Sequence, residues 1–341
     1  MPLLDSASVK STARRAGFHA CGVARAAPLD PAPLDRMLAR GAEADMVWLR
    51  TQRAERLDPS RLLPGVRSVV VVALAYHAPG EAPSAPEGAG EVARYARGRD
   101  YHAVMKARLR ALCADLAAAD PGARTLATCD VAPVMEKTWA ERAGVGWVGK
   151  NGCLITAEHG SWVVLGTVLV DRELEPDAPH PDRCGSCEAC LPACPTGAIP
   201  EPGLVDARRC ISYWTIERRG EIPAEMAGRM GRWVFGCDAC QTACPWNAAA
   251  KPACDPELLP RPGREALALE DLLALTEHDY RGRFYGTSLA RARYDGLVRN
   301  ALLAAGTSGD RRWLDLVRAR LDSPFPGVRA AAAWAAERLG R

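Results

Sequence analysis

The sequence has 341 residues, of which 48% are hydrophobic and 25% charged, and its formal net charge is +3. These values are typical of a soluble globular protein with two or three domains, and the net charge alone does not indicate a nucleic-acid partner. Thirteen cysteines could indicate a secreted disulfide protein, but their odd number opposes this interpretation. The lack of an apolar run after Arg14-Arg15 also opposes an export signal. Since no stretch reaches the roughly 18 apolar residues of a membrane span, we expect a cytoplasmic protein with no membrane partner.

The first 172 residues alternate between predicted helices and predicted strands. Apolar periodicity and turn residues place helices at about 6–17, 29–42, 101–119 and 133–143. Strands are predicted at 18–24, 66–76, 125–130 and 161–171. The run 69–75 is so apolar and β-branched that both of its faces should be buried, whereas 77–90 is rich in Pro, Gly and Ala and reads as a loop. This pattern predicts an α/β or α+β domain over 1–172.

The segment 128–151 combines an acidic residue with several glycines. Asp130 follows a predicted strand and precedes a predicted helix, a position that suits a helix cap or a first-turn charge as well as a catalytic acid. Gly144, Gly146 and Gly149 have the spacing of a dinucleotide-binding loop. Such a loop needs a preceding strand and a following helix, and here a helix precedes it, so we reject that interpretation.

A cysteine-rich domain is predicted over 173–257, after an acidic, Pro-rich linker at 173–181. Its first cysteines are separated by two, two and three residues, its last run ends like the first in Cys-Pro, and Cys210 stands between the runs. This is ferredoxin spacing for two [4Fe-4S] clusters, and a zinc site explains it poorly. The crossover pattern of such domains assigns Cys184, Cys187, Cys190 and Cys244 to one cluster and Cys194, Cys210, Cys237 and Cys240 to the other.

Two features surround these ligands. The segment 211–236 separates Cys210 from Cys237 and is predicted to be an insertion lying against a cluster. The other cysteines, which are more typical of small buried apolar residues than of ligands, are Cys21, Cys113, Cys129, Cys153 and Cys254.

The C-terminal segment 258–341 is predicted to be helical. Two similar Val-Arg and Ala/Leu stripes suggest a short HEAT-like repeat, and a plain helical cap is the alternative. Residues 281–341 contain twelve Arg and no Lys against four Asp and one Glu, a local net charge of +7. Such a segment suits a polyanionic partner, although arginine stems covering helix faces would give the same composition.

The block 130–151, the string 209–213 and the string 241–247 together resemble the epoxyqueuosine reductases, and the similarity covers nearly the whole chain. The resemblance implies a cobalamin-dependent oxidoreductase with two [4Fe-4S] clusters. Such an enzyme removes the epoxide oxygen of epoxyqueuosine in tRNA as water and leaves queuosine. It also implies binding of the tRNA anticodon region, an external low-potential electron donor and a monomeric enzyme.

The resemblance also suggests roles for individual residues. Asp130 matches the family's catalytic acid, and an aspartate can act as an acid at neutral pH only if burial or a nearby negative charge raises its pKa. Lys137 could meet the substrate or a phosphate. The residues that match the cobalamin surroundings are Arg56, Asp130, Lys150, Asn151, Ser212 and Gln241.

Two other functions remain open at this point. A reductive dehalogenase acting on a small organohalide would share the cobalamin and the two clusters, but it would usually carry an export signal and lack the basic helical end. A simple electron carrier would use the clusters alone and would not depend on Asp130.

Overall fold

The computed structural model describes residues 4–78, 85–252 and 255–341. Cys254, which was predicted to be buried and apolar, and part of the predicted loop 77–90 lie outside these ranges.

The first part of the chain forms a four-stranded sheet with helices on both faces. Its strands are β1 (Ala20–Arg25), β2 (Ser68–Ala75), β4 (Thr125–Thr128) and β7 (Val163–Val170), in the order β1-β2-β7-β4. Every pairing in this sheet is antiparallel. The predicted strands are therefore confirmed, and their antiparallel pairing makes the domain α+β.

The helices of this part are α1 (Ser6–Arg15), α2 (Ala32–Ala39), α3 (Trp48–Thr51), α4 (Arg53–Leu57), α5 (Tyr101–Ala119) and α6 (Glu136–Arg142). Alternate residues of β2 enter two different cores. Val70 and Val72 pack with α1 and α5, whereas Val69 and Val71 pack with α2 and α6. Every residue of β2 is buried, as the sequence predicted, because both faces of the sheet are covered.

A second sheet joins distant parts of the chain. It contains β8 (Trp233–Phe235), β3 (Ala89–Val92) and β9 (Ala266–Ala268), in that order. One large core spans this sheet, the segment 207–235 and the C-terminal helices. The boundaries predicted at 172 and 257 therefore divide segments that pack together, and the domain division stays a prediction.

The remaining strands and helices are short until the C-terminal part. A hairpin of β5 (Trp147–Val148) and β6 (Leu154–Ile155) follows α6, so the three-glycine motif does not open a helix. The cysteine-rich part contains α7 (Ile211–Ile216), α8 (Ala224–Ala227), α9 (Ala239–Thr242) and α10 (Pro245–Ala248).

The C-terminal part is helical, as predicted. Its helices are α11 (Leu269–Leu273), α12 (Glu277–Phe284), α13 (Arg293–Ser308), α14 (Leu314–Arg318) and α15 (Pro326–Gly340). The two long helices α13 and α15 pack closely at Gly306, where a Cβ atom would come within 2.7 Å of Trp334. In the described parts of the chain, no helix has both the length and the apolar character to cross a membrane.

Candidate functional site

Four of the predicted cluster ligands line one cavity. Cys184, Cys187, Cys190 and Cys244 surround a space of about 120 Å³, together with Trp246 and other residues. Cys244 comes from the second cysteine run, so the structure brings together the four cysteines that the crossover pattern assigns to one cluster.

Backbone N–H groups point at the sulfur atoms of predicted ligands in both cysteine groups. The Ala198 N–H donates to the sulfur of Cys194 over 3.1 Å. Burial opposes ionisation of Cys194, but this bond and others from Thr196 and Gly197 lower its pKa. Burial raises the pKa of Cys244, and the N–H groups of Trp246 and Asn247, which point at its sulfur, oppose this rise. Donors of this kind stabilise thiolates and the clusters they bind, so the cysteines fit iron–sulfur ligation.

The second group of cysteines includes a residue that the sequence did not assign to it. Cys194, Cys210, Cys237 and Cys240 lie near enough to influence one another's ionisation. The thiol of Cys153 lies in hydrogen-bonding contact with that of Cys240, and this contact lowers the pKa of Cys153 and raises that of Cys240. Cys153 thus differs from Cys21, Cys113 and Cys129, whose pKa values are raised by burial.

A cavity of about 230 Å³ lies beside the second cysteine group. Cys153 forms part of its wall, β7 contributes apolar side chains, and Tyr101, Lys137 and Gln241 also line it. Gln241 is held in place because its Oε1 accepts a hydrogen bond from the Ser161 hydroxyl over 3.0 Å. The cavity thus connects the sulfur-rich part of the chain with Tyr101, which reaches Asp130. We refer to it below as the central cavity.

Asp130 lies at the centre of a hydrogen-bonded group next to this cavity. The Tyr101 hydroxyl donates to Asp130 Oδ2 over 2.8 Å, and His102 Nε2 lies 3.4 Å from the same oxygen. His102 Nδ1 in turn lies 2.8 Å from Asp100 Oδ1. Asp130 stands six residues before α6 and makes no cap there, so the interpretation as a helix cap is wrong.

The charges in this group differ from the sequence expectation. Partial desolvation by the surrounding groups favours protonated Asp130, but hydrogen bonds from His102 and Tyr101 outweigh it and lower the pKa. The expected rise in the pKa of Asp130 is therefore not found. Burial opposes protonation of His102, yet hydrogen bonds and charge from Asp100 and Asp130 raise its pKa to about 9. At neutral pH the proton accordingly resides on His102, within reach of Asp130.

A second proton-bearing residue holds the backbone of Asp130. The Asp130 N–H donates to Glu136 Oε1 over 2.9 Å, and Asp130 has a left-handed φ of 60°, which is unfavourable for residues other than glycine. Burial raises the pKa of Glu136 to about 8. Arg56 lies close enough for the charges of both carboxyl groups to affect it, and its buried Nε has no hydrogen-bond partner among the described residues.

The residues predicted to contact cobalamin do not lie together in the structure. Arg56 lies near Asp130, and Gln241 lines the central cavity. Lys150 and Asn151 instead line the cavity of the first cysteine group. Ser212 is the second residue of α7, and its N–H points at the sulfur of Cys210.

Lys137, which was expected to meet the substrate or a phosphate, also belongs to the central cavity. Its Nζ donates to the Gly152 carbonyl over 2.6 Å.

Many of the C-terminal arginines have partners within the chain. Arg299 is 2% exposed and donates to three backbone carbonyls. Arg320 donates to the carbonyls of Leu273 and Leu275, and Arg291 pairs with Glu217. The net charge of this segment therefore overstates the number of arginines available for a polyanion.

Sequence reasoning missed Tyr101, His102, Glu136 and the contact made by Cys153. Tyr101 and His102 stand at the start of a strongly predicted helix, where two hydrogen-bonding aromatic side chains are a weak signal. Tyr101 lies 29 residues before Asp130 in the chain, and the contacts of both side chains with Asp130 depend on how α5 lies against β4.

Most of the chain is similar to known proteins of one family. Residues 56–131 match the family described as epoxyqueuosine reductase QueG, DUF1730, and residues 183–247 match a 4Fe-4S double cluster binding domain. An epoxyqueuosine reductase of Gloeobacter violaceus is 46% identical over 314 residues, which are 89% of this chain and 97% of that protein. That of Pseudomonas aeruginosa is 38% identical over 341 residues, with 98% of this chain and 94% of the other covered.

The chain is also similar to solved structures of epoxyqueuosine reductases. A crystal structure of epoxyqueuosine reductase with an epoxyqueuosine-modified tRNA-Tyr stem loop has a TM-score of 0.90 and 32% identity, and the match covers 98% of this chain and 90% of that one. A Bacillus subtilis epoxyqueuosine reductase, described as having its catalytic aspartate loop swung out of the active site, has a TM-score of 0.88 at 32% identity, with the same coverage.

Proposed function

The chain belongs to the epoxyqueuosine reductase family, and from this premise we propose that it reduces epoxyqueuosine to queuosine in tRNA at Asp130. The reaction consumes two electrons and two protons, breaks both C–O bonds of the epoxide and yields an alkene and water. The observation that carries the proposal is the sequence of contacts from Cys240 through Cys153 and the central cavity to Tyr101 and Asp130. It links an electron source with a proton source.

The clusters deliver electrons to this place. The two cysteine groups form ligand sets for two [4Fe-4S] clusters, with the assignments given above. We propose that the second group, which Cys153 connects to the central cavity, is the one nearer the substrate. An external donor of low potential would reduce the first cluster, where Cys187 is exposed.

Cobalamin is the cofactor proposed for the central cavity. At about 230 Å³ the cavity is smaller than cobalamin and could enclose only part of it. Its apolar β7 side chains and its tyrosines suit the face of a corrin ring, and Gln241 and Lys137 offer polar contacts at its edge. When bound, cobalamin would supply low-potential electrons from cobalt to the epoxide carbon.

Proton delivery depends on the chain's own residues. We propose that Asp130 receives the proton of His102 and passes it to the leaving oxygen. The raised pKa of His102 keeps that proton in place at neutral pH, and the distance of 3.4 Å suits transfer after a small movement. Tyr101 orients the receiving oxygen, while protonated Glu136 lies behind the Asp130 backbone as a second reserve.

The substrate is the anticodon region of a tRNA. Asp130 is accessible to a large substrate because its side chain is 63% exposed. The modified base must turn out of the anticodon stack to reach it, as bases do in other enzymes that modify nucleic acids. We also propose that the enzyme is a cytoplasmic monomer.

An anaerobic assay tests the proposal. The protein, reconstituted with iron, sulfide and cobalamin, is incubated with a reductant and an epoxyqueuosine-bearing stem loop, and queuosine is measured by mass spectrometry. Asp130→Asn is the control, because it keeps the side-chain size and should leave the iron content unchanged while turnover is lost. The proposal fails if wild-type protein with both cofactors verified makes no queuosine, or if Asp130→Asn is as active as the wild type. Dehalogenation of an organohalide without tRNA would support the alternative activity.

A further inference from the structure

A separate cavity of about 500 Å³ reaches the surroundings of Asp130 between α5 and the edge strand β4. Its lining includes the two chain neighbours of Asp130, Cys129 and Val131, and also His102. Val131 is 82% exposed at its rim. The volume is in the range of ligand-binding pockets. We call this cavity the α5–β4 groove.

One wall of the groove carries two unpaired positive charges. Lys106 and Arg110 both line it, and because they are four residues apart they project from the same face of α5. Both are exposed, and neither has an ion-pair or hydrogen-bond partner within the described ranges 4–78, 85–252 and 255–341. The described lining contains no acidic side chain. An anionic ligand with an apolar portion is the complementary occupant.

We propose that the α5–β4 groove binds the nucleotide adjacent to epoxyqueuosine in the tRNA strand. Lys106 and Arg110 would contact its phosphate, and its base would pack on Val131. This inference rests on the proposed function, since an epoxide at Asp130 is joined to its neighbours through phosphates that cannot lie far away. The groove also provides free cations near Asp130, whereas most of the C-terminal arginines have partners within the chain.

Binding of the epoxyqueuosine stem loop to the reconstituted enzyme tests this subsite. We expect Lys106→Ala/Arg110→Ala to raise the Kd at least tenfold, and to reduce the slope of log K against log salt by about 0.7, the value for one phosphate of a single strand. Arg14→Ala/Arg15→Ala, which removes two exposed cations of α1, is the matched control and should change neither quantity strongly.

Three results would overturn the subsite. The first is a Kd and salt slope equal to those of the wild type. The second is a loss of bound cobalt with an unchanged Kd, because the groove would then hold part of the cobalamin. The third is an equal loss of affinity in the α1 control, which would indicate general electrostatic attraction. Conversion of the stem loop by wild-type enzyme is measured in parallel, so that failure of the proposed function is recognised separately.

An independent observation concerns Asn151, at the cavity of the first cysteine group. The side chain is 4% exposed, and its Oδ1 accepts a hydrogen bond from the Cys153 N–H over 3.1 Å. This bond fixes the orientation of the amide, so that Nδ2 is the remaining group. Nδ2 is fully enclosed and has no partner among the described residues, which is costly for a buried donor.

We infer that Asn151 donates an N–H···S hydrogen bond to the first iron–sulfur cluster and raises its reduction potential. Reduction adds negative charge to the cluster, so a donor stabilises the reduced form more than the oxidised form. Asn151 is then a positioning and tuning residue of the electron path rather than a cobalamin contact. The inference depends on the cluster domain and not on the identity of the tRNA substrate.

Redox titration followed by electron paramagnetic resonance tests this role in the reconstituted protein. Asn151→Leu, which removes the donor at similar size, should shift the equilibrium of one cluster about tenfold toward oxidation, or about 59 mV for one electron. The other cluster should be unaffected. Asn151→His retains an N–H donor and should restore the potential. An unchanged potential in Asn151→Leu with full iron content overturns the inference. If Asn151→Leu does not bind the cluster, the potential of Asn151→His is compared with that of the wild type instead. A lowered potential in Asn151→His then overturns the inference.

Discussion

Replacing Glu136 tests how Asp130 is held in its reactive position. Glu136 Oε1 accepts the only backbone hydrogen bond found for the Asp130 N–H among the described residues, and Asp130 has a φ of 60°. A left-handed conformation costs a non-glycine residue roughly 1–2 kcal/mol, so this bond offsets much of the strain. Glu136→Ala removes it. A net loss of about 1.4 kcal/mol, typical of one hydrogen bond, is a factor of ten in the population of the held conformation.

We therefore expect Glu136→Ala to reduce the single-turnover rate about tenfold, while Glu136→Gln stays within about threefold of the wild type. Glutamine keeps the accepting oxygen, and it resembles the protonated carboxyl that the raised pKa implies at neutral pH. The rate is measured with the epoxyqueuosine stem loop, and hydrogen exchange of residues 129–135 reports the loop directly. Exchange should accelerate in the Ala variant alone. Equal rates for the Ala and Gln variants would refute the reasoning, because the hydrogen bond would then not be the property that matters.

Four further results are expected. Asp130→Asn should lower turnover by a factor of roughly 10²–10⁴ with unchanged iron content, and an active variant would remove Asp130 from proton transfer. Activity should fall as the pH rises through about 8 and then 9, because Glu136 and His102 lose protons there; a flat pH–rate profile in this range would contradict it. Cys244→Ser should remove about half of the iron, all from the first cluster, as Mössbauer or paramagnetic resonance spectra can show. Arg299→Met leaves buried carbonyls unpaired and should lower the free energy of unfolding by roughly 3 kcal/mol, which anaerobic denaturation with urea measures.

Local sequence patterns predicted most of the first sheet and its helices. The helix predicted at 101–119 is α5 with the same bounds, because its apolar positions repeat with helical spacing and Asp120-Pro121-Gly122 ends it. The helix predicted at 29–42 is shorter, Ala32–Ala39, since prolines limit its start and Gly41 its end. The cysteine groups were likewise predictable, because ferredoxin spacing is a local property of the chain.

The surroundings of Asp130 were not predictable in this way. The helix predicted at 133–143 begins only at Glu136, and the residues before it form the loop that presents Asp130. The pKa of Asp130 depends on Tyr101 and His102, whose distance from it in the chain hides the contact. A carboxylate at a strand end indicates a site, but its proton affinity depends on partners that only the packing of α5 against the sheet brings near.

The insertion 211–236 connects the C-terminal helices to the ligands of the second cluster. The insertion forms α7, α8 and β8, and its two ends carry Cys210 and Cys237. From α13, Asn300 donates to the carbonyls of Thr215 and Val234, which lie in α7 and β8, and the Thr215 hydroxyl accepts the Gly236 N–H over 2.9 Å. Buried hydrogen bonds to α13 and within the insertion therefore hold together the two segments that follow Cys210 and precede Cys237. In a simple ferredoxin a two-residue turn does this, so the longer connection here makes the second cluster's ligand geometry depend on the C-terminal helices.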